Sequence, residues 1–212
     1  MKKIELFVYD FDGTLVNTKD DIAYSLNLVF RELGLPPLKH ETVFLYIGDG
    51  VGALVSRALE GTGCDNVPEA VRLFKKFYEQ HLTKDTRLYP HCRETVGFFV
   101  RKKHAILSNK PERFIKKILA EFDFLHPFAG IVGGDTLDGR KPDPLGLHYL
   151  MALHETTADK VLMVGDIAVD IETGKRACVT TCGVTYGLGG RSEVEEADYV
   201  IDDLSELKKY FH

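Results

Sequence analysis

The chain has 212 residues, 44% of them hydrophobic and 28% charged, with 27 Lys and Arg against 32 Asp and Glu for a formal net charge of −5. These values belong to a folded globular protein rather than a disordered or fibrous one, and the longest basic run, Arg101 to Lys103, argues against a general nucleic-acid binder. No apolar stretch reaches the roughly 20 residues needed to span a bilayer, no signal-peptide pattern opens the chain, and the four cysteines form no CxxC pair, so a cytoplasmic protein with reduced thiols is expected.

The first predicted strand, "IELFVYD" from Ile4 to Asp10, ends in a carboxylate, and Asp12 follows two residues later. From about Val16 to Leu82 the pattern turns helical, with no convincing strand. Residues 18–34 set Ile22, Leu26, Val29, Phe30 and Leu33 at helical spacing, and Gly34 is a plausible stop. A glycine-rich start at residues 46–50 leads into a second helix that ends near Gly61. Residues 68–82 repeat the apolar stripe with Val71, Phe74, Phe77, Tyr78 and Leu82. Strand candidates then return at residues 104–109, 130–134, 160–166, 178–187 and 197–202. They alternate with helices at 111–122, 142–154 and 167–178. Near-continuous Val, Ile, Leu and Met runs predict parallel strands covered on both faces. The expected fold is therefore α/β, a Rossmann-like parallel sheet core over residues 1–15 and 85–212 with an inserted all-helical cap domain over residues 16–84. Hinges are expected at residues 14–18 and 82–88, and the aromatic groups Phe74, Phe77, Tyr78 and Phe98, Phe99 are expected in the core.

Ligands of open α/β sheets bind outside the carboxyl ends of the strands, and polar residues gather there. Asp10 and Asp12 close the first strand, Ser108 and Asn109 the second, Lys141 follows the third, and Asp166 ends the fourth. Asp170 lies one helical turn after Asp166. Four carboxylates at one edge need a cation, and an all-oxygen set without His or Cys favours Mg²⁺ over zinc. A metal, a lysine and a hydroxyl suit a phosphoryl group, on which an aspartate can act as covalent nucleophile. With two acids at a two-residue spacing, one can attack while the other handles the proton.

"DFDGT" after a strand, Ser108-Asn109 after another, "RKPDP" from Arg140 to Pro144, and "GDIAVD" from Gly165 to Asp170 resemble the four motifs of the haloacid dehalogenase superfamily. The resemblance runs through the whole chain. It implies Asp10 as nucleophile, Asp12 as general acid and base, and Ser108 and Lys141 as holders of the transferring phosphoryl group. It implies a Mg²⁺ site made by Asp166, the Asp10 carboxylate and the Asp12 backbone carbonyl, with Asp170 orienting the metal shell. Gly13 and Thr14 fit as the turn and its support, and the helical insertion corresponds to the family's type-1 cap. In that cap, Gly48 (within Gly48-Asp49-Gly50) and Arg57 are candidate substrate contacts, as is Asn109 on the core side. Within the family, "YIGDGVGALVSRAL" and the carboxyl-terminal "GVTYGLGG" resemble the members acting on 2-phosphoglycolate. The implied activity is a Mg²⁺-dependent phosphatase for a small phosphate monoester, 2-phosphoglycolate first. Alternatives are a sugar-phosphate mutase resembling β-phosphoglucomutase, or a pyrophosphatase of the same fold. The expected partner is a small-molecule phosphate ester, with no nucleic acid and no membrane; a monomer is the default and a dimer the alternative. Three positions depart from the family pattern. Asn17 replaces a common Asp, Ile167 a frequent Ser or Thr with its hydrogen bond, and "TGKRACV" a run of smaller residues.

Overall fold

A computed structural model describes all 212 residues. The chain opens with β1 (Leu6–Tyr9) and a two-residue β2 (Val16–Asn17), followed by helices α1 (Lys19–Glu32), α2 (His40–Phe44), α3 (Val51–Leu59) and α4 (Val67–Gln80). Strand β3 (Arg87–Leu88) then pairs antiparallel with β2. Helix α5 (Cys92–Phe98), β4 (Lys103–Leu107), α6 (Glu112–Glu121), β5 (Phe128–Val132), α7 (Leu145–Leu153), β6 (Val161–Gly165), α8 (Ala168–Arg176) and β7 (Thr180–Val184) follow in alternation. The chain closes with α9 (Arg191–Val194), β8 (Tyr199–Ile201) and α10 (Leu207–Tyr210).

Six strands form one parallel sheet in the order β5-β4-β1-β6-β7-β8, as expected for an α/β chain with crossover helices. Strand β1 sits inside it and shows why its sequence is apolar throughout. Leu6 and Val8 enter one core cluster with Leu147, Leu150, Val161 and Met163. Phe7 and Tyr9 point the other way, into a larger cluster that continues through the helical insertion to Leu26, Phe74 and Tyr78. One apolar core thus runs from the sheet into the insertion. No helix is long and apolar enough to cross a membrane.

The structure differs from the sequence-based expectation in several places. The β2–β3 ribbon forms where the chain passes into the insertion and where it returns, so the segment from Val16 is not wholly helical. Two residues are too short for any periodicity to register. Helices α2 and α5 were unforeseen for the same reason of length. The strand expected over residues 178–187 spans only Thr180–Val184, because Cys178 turns the chain after α8 with φ 56. Phe99 is buried, but Phe98 is 60% exposed at the end of α5, and Phe77 is only partly buried. The thiols of Cys92 and Cys182 are buried, and all four cysteines are free.

Candidate active site

Register brings the site together. Tyr9 lies opposite Ile106 on one side and Val164 on the other, so β1, β4 and β6 end level. Asp10, Ser108 and Asp166 therefore leave the sheet at one edge, and the Asp10 amide donates to the Val164 carbonyl at 2.8 Å. Lys141 arrives from the loop between β5 and α7, and Asp170 from the first turn of α8. Asp10, Asp166 and Asp170, all buried, each present a carboxylate oxygen within 4.8 Å of the others.

Each carboxylate is held by a different element. Asp170 Oδ2 accepts from the amides of Asp166 (3.0 Å) and Ile167 (3.2 Å), and its Oδ1 accepts from Lys141. Asp166 Oδ1 accepts from the Thr14 hydroxyl at 2.8 Å, and its Oδ2 from the Leu188 amide at 2.8 Å. Close approach fixes the turn beside it: Gly13 has φ 90, and a Cβ there would lie 2.1 Å from Asp166 Oδ2. Lys141 Nζ lies 2.8 Å from Asp10 Oδ1 but off the angle of a hydrogen bond, which leaves that buried oxygen without a donor.

Three buried carboxylates thus face one ammonium. Burial pushes the Asp10 carboxyl up to about 6, opposed by Lys141 and reinforced by Asp170 and Asp12. Burial, then the charges of Asp170 and Asp10, push Asp166 well above the ordinary carboxylate range. At Lys141 burial works against the charge, yet Asp10 and Asp170 outweigh it and the ammonium is held more firmly than usual. A cluster short of positive charge, with hard oxygen donors and a carboxylate oxygen that accepts no hydrogen bond, fits a small divalent cation such as Mg²⁺.

Asp12 lies outside that cluster. Its carboxylate turns toward the helical insertion and accepts from Lys110 Nζ at 2.9 and 3.2 Å and from the Thr18 hydroxyl at 2.5 Å. The Asp12 side chain is therefore not among the three clustered carboxylates. Ser108 is buried, and together with Asp10, Asp12 and Lys110 it forms the polar floor of a cavity of about 40 Å³. Helices of the insertion supply apolar walls through Ile22, Val51, Leu54 and Phe74, with Gly48 and Gly50 at the rim. That volume admits only a few waters, and the insertion and the strand ends line it together.

Asn109 and Gly48 meet each other: the Asn109 amide donates at 3.1 Å both to the Gly48 carbonyl and to the Lys141 carbonyl. Arg57 does not reach the cavity. Its guanidinium pairs with Asp49 and opens onto a separate surface depression. Ile167 supplies no side-chain hydrogen bond; its Cδ1 packs so near Gly48 that a Cβ there would stand 2.7 Å away. Sequence reasoning missed Lys110 and the Tyr78 hydroxyl, which meet at 2.7 Å. Lys110 is 6% exposed, and burial lowers its proton affinity against the pull of Asp12. The available signal was its place directly after Ser108-Asn109, at the end of a buried strand.

The chain is similar to known proteins over nearly its whole length. The family model for haloacid dehalogenase-like hydrolases matches residues 7–184. A phosphoglycolate phosphatase of Vibrio cholerae is 35% identical, over 98% of this chain and 96% of that protein. One of Haemophilus influenzae is 35% identical over 97% of each. Among solved structures, that of a predicted phosphoglycolate phosphatase from Haemophilus somnus superposes with a TM-score of 0.91 at 29% identity, covering 99% of this chain and 98% of that one. CbbY from Rhodobacter sphaeroides, solved in complex with phosphate, shares the fold, with a TM-score of 0.82 at 19% identity over 96% of each chain.

Proposed function

The chain belongs to the haloacid dehalogenase-like hydrolase family and is a phosphatase, a phosphoric monoester hydrolase, and on that premise we propose that it hydrolyses 2-phosphoglycolate through an aspartyl-phosphate on Asp10. The observation that carries this reading is the cluster of Asp10, Asp166, Asp170 and Lys141, of which Asp10 opens onto a small cavity between core and insertion. The phosphoglycolate phosphatases that match nearly the whole chain support the choice of substrate.

In this reading the Asp10 carboxylate attacks phosphorus as the bond to the glycolate oxygen breaks. Asp12 gives its proton to that oxygen, so glycolate leaves as the alcohol. Water then attacks the phosphorus of the aspartyl-phosphate, Asp12 takes the proton, and inorganic phosphate leaves with Asp10 regenerated. Ser108 and Lys141 hold the phosphoryl oxygens. Asp10, Asp166 and the Asp12 backbone carbonyl would hold Mg²⁺, with Asp170 orienting the shell and Lys141. When bound, the ion supplies the positive charge that the carboxylates lack and that a transferring phosphoryl group needs. Residues 16–84 act as a cap on the core of residues 1–15 and 85–212, lifting to admit substrate and closing to exclude water.

Phosphate release from a panel tests this, with Mg²⁺ and with the metal chelated. The panel holds 2-phosphoglycolate, hexose phosphates, nucleoside monophosphates and pyrophosphate. Metal-dependent release with 2-phosphoglycolate as the preferred substrate is expected. Preference for another member would overturn the substrate, and release that is indifferent to chelation would overturn the metal.

A further inference from the structure

Lys110 is a buried lysine outside the phosphoryl-holding pair, and its surroundings are specific. Its side chain is 4% exposed, its ammonium reaches both oxygens of Asp12 (2.9 and 3.2 Å), and its third contact is the Tyr78 hydroxyl at 2.7 Å. The same ammonium stands 4.5 Å from the centre of the Tyr78 ring and 5.9 Å from that of Phe11. An ammonium kept out of water is costly unless its donors are used, and here they are spent on one carboxylate and one residue of the insertion.

The two ends of this arrangement belong to different parts of the chain. Lys110 follows β4 on the sheet side, whereas Tyr78 comes from α4 of the insertion. Asp12 stands on the loop after β1 and forms part of the floor of the cavity. A carboxylate that must give and take a proton at one oxygen of the substrate needs a fixed orientation more than it needs charge. Lys110 contacts both oxygens and so sets the direction in which the carboxylate points, while Thr18, bound to Oδ1 alone, restrains the turn of its plane.

We propose that Lys110 is a positioning residue for Asp12, holding its carboxylate in the proton-transfer orientation, and that Tyr78 completes the arrangement only when the insertion is closed. The inference rests on the acid–base reading of Asp12 given above. It makes cap closure and proton readiness one event: lifting α4 removes the Tyr78 hydroxyl from Lys110 and loosens the hold on Asp12.

The test compares two small substrates that differ in their need for an acid. Glycolate leaves 2-phosphoglycolate as an alkoxide that requires a proton, whereas acetate leaves acetyl phosphate as a stable carboxylate. The readout is the ratio of kcat/KM for 2-phosphoglycolate over acetyl phosphate, in the full-length protein with Mg²⁺. Asp12→Asn sets the scale of the drop. Lys110→Met keeps the apolar stem against Tyr78 and removes the ammonium; its ratio is expected to fall roughly 10- to 100-fold. Tyr78→Phe, which removes one hydroxyl, is expected to lower the ratio in the same direction by roughly 3- to 10-fold. It decides the matter if Lys110→Met does not fold. An equal loss on both substrates would mean that Lys110 holds the phosphoryl group instead, and an unchanged ratio would mean that it does not act through Asp12; either overturns the inference. If Asp12→Asn itself lowers both substrates alike, the acid–base reading fails and this inference fails with it, a result visible before the Lys110 variants are compared.

Discussion

The edge of the sheet and the insertion that covers it are held by opposite physics. At the edge, buried carboxylates are tied by hydrogen bonds within the core: Asp166 to Thr14 and Leu188, Asp170 to Lys141 and to two amides. Across the cavity, Ile22, Val51, Leu54 and Phe74 meet that edge with apolar surface. Polar contacts between the two sides of the cavity include Tyr78 with Lys110 and Asn109 with Gly48. Where the insertion rejoins the core it is tied firmly again: buried Asp21 accepts from the amides of Asp85 and Thr86 and from the Thr86 hydroxyl. A face that is anchored at one end and mostly apolar over the site can lift without stranding many polar groups. The core edge cannot rearrange so cheaply. Preorganised charge therefore lies in the core, and the proposed admission of substrate falls to the insertion.

The strongest test of this division removes the proposed nucleophile. Asp10→Asn should abolish turnover of 2-phosphoglycolate, a loss of roughly 10³-fold or more, with an unchanged far-UV circular dichroism spectrum. Ordinary activity in that variant would sink the assignment. Next comes the charge that holds the edge together. Lys141→Met leaves Asp10 and Asp170 buried without their ammonium, and breaking a buried pair from one side costs about 3–5 kcal/mol. Denaturant unfolding should report a loss of that order, partly recovered by Mg²⁺. A loss near zero would show that the edge relaxes more freely than its hydrogen bonds imply.

A third effect is read from pH in the chelated protein. The Asp10 carboxyl, raised to about 6, keeps its proton in the folded state where the unfolded chain has already released it. The stability it contributes is present below about pH 4 and is lost as pH rises through about 6. Its size is on the order of 3 kcal/mol, because a tenfold change in proton affinity is worth about 1.4 kcal/mol. Melting curves of wild type and Asp10→Asn should therefore diverge between about pH 4 and about pH 7, with the variant gaining on the wild type toward neutral pH. Added Mg²⁺ should close the gap by stabilising the wild type. Parallel curves would show that Asp10 ionises as freely in the fold as in water.

The same contrast explains what could be read from the sequence. The core edge was legible because its residues sit at fixed offsets from apolar strands: Asp10 and Asp166 each end such a run, and strands that run parallel and level must deliver them to one edge. The insertion was legible only as helices. Tyr78 and Phe74 occupy ordinary apolar positions of α4, and periodicity cannot tell a core hydroxyl from one that reaches a buried lysine. Lys110 carries no pattern of its own in the sequence, and a lysine in a loop before a proline is ordinarily solvated. Arg57 had the right charge in the right segment, but its place on α3 turns it to Asp49 rather than to the cavity. Such facing relations depend on how one layer docks on another, which no local pattern records.

The smallest expected effect probes the apolar side alone. Leu54 is 4% exposed and forms part of the cavity wall supplied by the insertion. Leu54→Ala should cost about 2 kcal/mol, the low end for a leucine truncation, because the new space joins a cavity that water can enter. Asp10, Lys141 and Asp166 keep their partners, so chemistry on the smallest substrate should persist. The enlarged wall should instead shift preference, raising kcat/KM for a phosphate ester one or two carbons larger by roughly tenfold relative to 2-phosphoglycolate. A matched loss on every substrate would mean that Leu54 serves closure of the insertion and not the size of what it closes upon. A shift in the ratio alone would assign selection to the insertion and catalysis to the edge, because only the region that lifts can then measure what it admits.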